Sequence, residues 1–188
     1  MDKINNLISI VVPVYNESDS IKLLINEIFN VMESHNLPFE LIIVNDGSDD
    51  NTIHVLENLS IEIKQLIVVN LRKNYGQTAA LAAGFDNSNG DIIITLDGDL
   101  QNDPRDIPKL ITNLNEGYDL ICGWRFQRKD KLFNRRIPSK IANRLIGNVT
   151  GIHLHDYGCS LKAFKREIIN DIKLYGELHR FLPVLANI

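Results

Sequence analysis

The sequence predicts an α/β fold, a mostly parallel sheet covered by helices on both faces. Three observations carry this. Short apolar runs such as Ile92-Ile93-Ile94-Thr95-Leu96 recur, bounded by polar turns, as in strands buried on both faces. Stretches of helical length alternate with them, the β-α-β-α order of a parallel sheet. Acidic turns follow directly on two of the runs and a Tyr-Asn-Glu turn on another, at the strand ends where such sheets present ligands.

Taken in order, Leu7 to Val14 forms the first strand, and Ser18 caps a helix running to about Glu33. Phe39 to Val44 is the second strand, followed by the turn Asn45-Asp46-Gly47-Ser48-Asp49-Asp50 and a helix from about Thr52 to Leu59. Leu66 to Leu71 is the third strand, and Gln77 to Asp86, rich in Ala and Leu, the third helix. Ile92 to Leu96 is the fourth strand, Ile107 to Glu116 the fourth helix, and Leu120 to Gly123 a short fifth strand. Then the rhythm breaks. A basic segment leads to a helix around Ser139 to Thr150, a turn through Asp156-Tyr157-Gly158-Cys159, and a helix from about Lys165 to Ile172. The ending Ala186-Asn187-Ile188 has no cap or polar tail, so the chain is expected to be a fragment. It divides at residue 123: residues 1–123 carry the strand-end motifs, and residues 124–188 the basic segment.

At 188 residues and 44% hydrophobic, the chain suits one globular domain with a real core. Its apolar runs fall short of the ~20 residues that cross a bilayer, and the N-terminus lacks a signal-peptide pattern. Cys122 and Cys159 stand apart in no metal-like spacing, reading as reduced thiols of the cytosolic side. His153 and His155 have no third ligand at a recognisable spacing, which argues against zinc. Charge is uneven. Between Arg125 and Arg144, eight basic residues against one acid give +7, so in a chain of net −4 the remainder carries −11. Such an island suits an anionic partner, a phosphate or an acidic membrane surface, or is a solvated basic loop. Nucleic acid is excluded as a partner, since only Phe126 and Phe133 offer stacking and the protein is acidic.

Asp97-Gly98-Asp99 is the most informative motif. Two carboxylates at a strand end repel unless a cation sits between them, and hard oxygen ligands suit Mg²⁺ or Mn²⁺. Gly98 leaves the backbone open to close approach by a phosphate-bearing ligand. A solvated Asp-Gly turn is the alternative. Asp46 follows a buried strand, where it could bond a base N–H or form an Asx turn with Gly47. Glu17 could act like Asp46 or cap the nearby helix. Asn74-Tyr75-Gly76-Gln77 opens a helix, where backbone N–H groups favour anions. Lys162 and Arg166 read as surface charges.

Pro13-Val14-Tyr15-Asn16-Glu17, the turn from Asn45 to Asp50, and Asp97-Gly98-Asp99-Leu100-Gln101 together resemble the family-2 glycosyltransferases. Gly123-Trp124-Arg125, Asp156-Tyr157-Gly158-Cys159-Ser160-Leu161-Lys162 and Tyr175 to Phe181 narrow the likeness. They resemble the polyprenyl-phosphate glycosyltransferases, the group of dolichol-phosphate mannosyltransferase and bactoprenol glucosyltransferases. The resemblance implies a GT-A fold, Rossmann-like, over nearly the whole chain. It implies a nucleotide-sugar donor contacted by Pro13, Tyr15, Glu17, Asp46 and Asp97. The metal site, for Mg²⁺ or Mn²⁺, falls on Asp97, Asp99 and Gln101.

The implied acceptor is a polyprenyl phosphate at the cytoplasmic face of the membrane. Already anionic, it needs cationic positioning more than deprotonation, and Arg125 and Arg136 lead as its contacts. Lys140 and Arg144 share a helix face that suits either an anionic lipid surface or ordinary core with a solvated rim. Asp156 lies where relatives with hydroxyl acceptors keep their base, and Gly158 serves a tight turn or leaves room for the sugar. UDP-glucose is the favoured donor, with UDP-N-acetylglucosamine and GDP-mannose open. Other readings are transfer to a hydroxyl with Asp156 as base, or a catalytically incomplete nucleotide-sugar-binding module. An aspartyl phosphatase fits poorly, because its motif belongs on the first strand. Members of the group continue past this length, many with membrane helices, and a homo-oligomer stays open.

Overall fold

A computed structural model of the protein describes residues 6–124, 156–171, 176 and 182–185. Strand β1 (Ile8–Val14) lies at the middle of a six-stranded sheet. On one side it pairs in parallel with β2 (Phe39–Asn45), which pairs in parallel with β3 (Leu66–Asn70). On the other it pairs in parallel with β4 (Ile92–Thr95). The sheet continues through β6 (Lys162–Lys165) to β5 (Leu120–Cys122), β6 running antiparallel to both neighbours. The order is therefore β3-β2-β1-β4-β6-β5.

Strand alternation builds a core on each face. Ile8, Ile10, Val12 and Val14 of β1 join Leu41 and Ile43 on one face. Helices α1 (Ile21–Ser34) and α4 (Ile107–Asn115) cover it. Ile21, Leu24, Ile25, Ile28, Val31 and Met32 recur at helical spacing along α1, so one stripe reaches the sheet and the rest meets water. Helix α2 (Thr52–Glu62) adds Leu56. The opposite face carries Val11, Ile42, Val44, Ile93 and Phe164 beneath α3 (Gln77–Asp86). The short helices Arg166–Asp171 and Leu182–Leu185 add Ile169 and Leu182 there. Among the described residues, the first four helices and the parallel start of the sheet fall as expected from sequence. Among the described residues, no helix is long and apolar enough to cross a membrane.

Two expectations need correction. Strand β6 lies between the expected turn and the expected helix, where no element was expected, and the helix starts at Arg166, next to its expected start. Hydrogen bonding to β4 and β5 on both sides outweighs the weak strand pattern of Lys162-Ala163-Phe164-Lys165. Helix α1 starts at Ile21 behind Ser20, with Glu17 carbonyl accepting from the Ser20 and Ile21 N–H groups. The backbone amide of Ser18 is instead bonded to the Asp50 carboxylate at 3.3 Å. The helix expected around Ser139 to Thr150 lies outside the described residues.

Candidate active site

The strand order reverses direction around β1, with β2 on one side and β4 on the other. A crevice opens at such a switch point, beyond the carboxyl ends of the strands. Pro13 to Glu17, Asn45 to Asp50 and Leu96 to Gln101 all leave the sheet here. Because β6 is antiparallel, the segment from Asp156 to Leu161 enters it at the same edge. The fifth strand also ends here, and the Gly123 N–H donates to the Leu161 carbonyl at 2.8 Å.

The first two loops are laced together. Asn16, with a left-handed backbone at φ 58, exchanges hydrogen bonds with Asp49: its amide donates at 2.6 Å and its oxygen accepts from the Asp49 N–H at 3.0 Å. The Ser48 hydroxyl accepts from the Asn16 N–H at 2.9 Å, and the Thr52 hydroxyl accepts from the Glu17 N–H at 2.9 Å. Asp50 accepts from the Thr52 and Ser18 N–H groups. Burial would raise its pKa, but these bonds prevail and hold it down to about 2. The Glu17 carboxylate accepts from the Ser20 hydroxyl at 2.5 Å, and that hydroxyl lies 3.3 Å from the Gly98 carbonyl. Pro13 is half-buried, while Tyr15 stands out from the edge.

Asp46 is 4% exposed, and its two oxygens accept the backbone N–H groups of Tyr75 and Gly76, each at 2.8 Å. The amides before α3 do receive an anion, as expected at a helix start. That anion is the protein's own carboxylate rather than a ligand. Gly47 beside it is left-handed at φ 66, and a Cβ there would lie 2.3 Å from the Lys73 carbonyl carbon. The acidic turn and the 73–76 loop are therefore packed backbone to backbone.

On the loop after β4 the Asp97 carboxylate accepts from the Gln77 side-chain amide at 2.6 Å, and Asp99 accepts from the Gln101 N–H at 3.1 Å. Asp99 and Gln101 are exposed, Asp97 half-buried. Between them Leu100 is left-handed at φ 60 and packs against the core, so the loop holds a backbone that costs a leucine roughly 1–2 kcal/mol. Gly98 is buried, and a Cβ on it would meet Val14 Cγ1 at 2.8 Å. Its missing side chain makes room for Val14 of β1.

These donors fit Mg²⁺ or Mn²⁺. All are oxygens, and two are carboxylates on one loop. Among the described residues, no group of three His, Cys, Asp or Glu side chains could hold a metal unaided. Hard cations of this kind commonly take only one or two carboxylates and complete their shell with substrate phosphates and water. A cavity of about 500 Å³ lies on the outer side of the same loop, between α1 and residues 100–105, with Gln101 on its wall.

Asp156 is 7% exposed, and its carboxylate accepts from the Gly158 N–H at 3.1 Å. The turn it begins is latched to the fourth strand: Thr95 Oγ1 donates to the Ser160 carbonyl at 2.7 Å, and the Asn102 amide donates to Ser160 Oγ at 2.7 Å. Behind it sits Lys162, 4% exposed, its ammonium donating to the Cys159 carbonyl. Lys162 is thus buried at the site and is no surface charge. Arg166 is likewise half-buried, donating from Nε to the Gly90 carbonyl at 2.5 Å and from Nη2 to Ser88 Oγ at 3.0 Å. Cys122 and Cys159 are free thiols. Burial pushes the Cys122 thiol up to about 11, against the pull of Lys162. Arg125 and Arg136 lie outside the described residues. The buried position of Lys162 and the contact of Gln77 with Asp97 were not expected from the sequence, and Asn102 was not singled out there at all. Only a lysine two residues after Ser160, inside an otherwise small and apolar stretch, signals the first.

Comparison with known proteins agrees with this geometry. The chain is 49% identical over 178 residues to dodecaprenyl-phosphate galacturonate synthase of Rhizobium johnstonii, an alignment covering 94% of this chain and 53% of that protein. The chain thus spans about half the length of that curated relative. Among solved structures it resembles glucosyl-3-phosphoglycerate synthase from Mycobacterium tuberculosis in complex with Mn²⁺, UDP and phosphoglyceric acid. That match has a TM-score of 0.69 and 23% identity, and covers 89% of this chain and 58% of the other. A mannosyltransferase from Pyrobaculum calidifontis, in complex with GDP-Man and Mn²⁺, matches with a TM-score of 0.65 and 19% identity, covering 91% and 48%. These two establish likeness of fold, the GT-A architecture. The profile of the family described as Glycosyl transferase family 2 matches residues 9–173. With that match spanning most of the sequence, the chain belongs to glycosyl transferase family 2.

Proposed function

We propose that this chain is the donor-binding and catalytic part of a metal-dependent, inverting transferase that moves one sugar from a nucleoside-diphosphate donor to a polyprenyl phosphate at the cytoplasmic membrane face. The observation that carries the proposal is the 49% identity to dodecaprenyl-phosphate galacturonate synthase across nearly the whole chain. The acidic loops at the carboxyl edge of the parallel sheet supply the matching chemistry.

In this reading the base and ribose lie against Pro13, Tyr15, Glu17 and the Asp46 turn. Asp97, Asp99 and Gln101 would hold Mg²⁺ or Mn²⁺, which neutralises charge growing on the departing nucleoside diphosphate. An acceptor phosphate oxygen attacks the anomeric carbon as its bond to the diphosphate oxygen breaks, in one displacement that inverts the centre. The acceptor is already anionic, so no general base is required. Arg125 and Arg136, on their chemistry alone, are assigned to its phosphate, and Asp156 is assigned to orienting the acceptor side. UDP-glucose is the donor favoured from sequence. The name of the Rhizobium relative adds a galacturonyl donor beside it.

The test is a transfer assay with UDP-glucose, UDP-galacturonate and GDP-mannose, offering either polyprenyl phosphate or simple sugars as acceptor, with and without Mn²⁺. The proposal expects Mn²⁺-dependent formation of a glycosyl phospholipid. Transfer to sugar hydroxyls alone would instead make Asp156 a general base. Metal-dependent nucleotide binding without turnover would mark a binding module.

A further inference from the structure

Lys162 stands out among the described residues as a lysine buried at 4% exposure inside the sheet. Its register places it opposite Thr95 on β4 and opposite Cys122 on β5, so it sits one strand from the metal-motif loop. Its ammonium donates to the Cys159 carbonyl. An ammonium so buried is unfavourable unless opposite charge is near. Burial draws its pKa below the usual lysine range, while the Cys122 and Cys159 thiols and then the Asp97 and Asp156 carboxylates draw it back up. The carboxylates acting on it are those that face the donor crevice, one on the β4 loop and one on the 156–160 turn.

We infer that Lys162 is a positioning residue of the active site, a buried cation that holds the Asp156 turn against the Asp97 loop and competes with the divalent ion for their negative charge. The inference rests on the transferase reading above. Two further bonds, from Thr95 and Asn102, fasten the turn to the fourth strand and its following loop. Neither of them carries charge. Without the ammonium, the Cys159 carbonyl loses its donor and the turn its electrostatic hold, and Asp97 and Asp156 lose the positive charge that acts on both. At the same time the crevice becomes more negative, and a divalent ion should bind there more tightly.

That pairing of effects distinguishes positioning from simple support of the fold. In K162M, Mn²⁺ affinity measured with UDP or GDP present, by electron paramagnetic resonance of free Mn²⁺, should rise about threefold or more. Meanwhile kcat should fall about tenfold or more while donor KM stays within about threefold. K162R, which keeps the charge, should recover part of kcat and reverse the gain in Mn²⁺ affinity. Unchanged or weaker Mn²⁺ binding in folded K162M overturns the inference, whatever the rate. Should K162M not fold, K162Q is measured in the same way. If neither folds, Lys162 is a structural part of the core and the inference fails. If the unaltered protein binds no Mn²⁺ with either nucleotide, the metal-dependent transferase reading itself falls and takes this inference with it.

Discussion

Replacing Asp46 by Asn probes how the second acidic loop is built. The Asp46 carboxylate is 4% exposed and takes two backbone N–H groups, from Tyr75 and Gly76, one on each oxygen at 2.8 Å. An amide of the same shape offers one oxygen and one NH₂. One N–H therefore keeps a weaker, neutral acceptor, and the other faces a second donor. Downgrading a charge-assisted bond costs about 1 kcal/mol, and stranding a buried N–H about 1–3 kcal/mol, so D46N should lose about 2–4 kcal/mol. For a chain of this size that lowers the unfolding midpoint by roughly 5–15 °C. Circular dichroism melting of D46N beside D49N measures it. Asp49 bonds Asn16 at the exposed edge, so its variant should shift far less. Amide hydrogen exchange adds residue-level detail: Tyr75 and Gly76 should lose protection in D46N alone. A midpoint within about 1 °C of the unaltered protein, with both amides still protected, would refute the reasoning.

Three other perturbations test the neighbouring parts. G98A places a Cβ 2.8 Å from Val14 Cγ1; it should cost about 1–3 kcal/mol by overpacking, and G98A/V14A should recover most of that in the same melting assay. D99A should abolish metal-dependent nucleotide binding in a thermal-shift titration with UDP and GDP, and equal affinity with and without Mn²⁺ in a variant that still binds would remove Asp99 from the metal site. Asp50 has a pKa lowered from 3.8 to about 2, so its stabilisation is complete above the unfolded value and is lost as pH falls through the folded one. In D50N the acid limb of stability between about pH 4 and pH 2 should accordingly flatten, and an unchanged limb would show that its bonds to Thr52 and Ser18 carry no net energy.

The parallel half of the fold is legible because its information is local. Ile92-Ile93-Ile94-Thr95 and Leu41-Ile42-Ile43-Val44 announce buried strands by composition, and the acidic turns after them lie within the same few residues. Strand β6 is not legible on those terms. Its first residue is a lysine, which marks a surface position by pattern, and the burial of that lysine depends on β4 and β5 closing over both sides. Candidate ligand residues show the same division. Asp46, Asp97 and Asp99 are visible as motif letters. The groups that hold them come from elsewhere in the chain: Gln77 lies 20 residues before Asp97, and the Tyr75 amide 29 residues after Asp46. Such pairings are set by topology, and a lone sequence carries no signal for them.

Exposure divides the acidic residues of the crevice into two kinds. Asp46 and Asp156 are buried and bonded to backbone N–H groups, so each fixes the course of a loop before any ligand arrives. To take a ligand as well, each must use lone pairs left over from those bonds, since releasing a buried N–H would cost more than a neutral contact returns. Asp99 and Gln101 are exposed, and the Asp99 carboxylate holds a single longer bond, 3.1 Å, to the Gln101 N–H. Exchanging such a contact for a cation costs little, because water already competes for both partners. Asp97 lies between the two kinds, half-buried, bonded to Gln77 and acting on Lys162. The rigid carboxylates thus set the walls and the exposed ones stay free to change partners, with Asp97 joining the two. Disturbing Asp97 should therefore alter both loop stability and metal affinity, whereas Asp46 should alter mainly the first and Asp99 mainly the second.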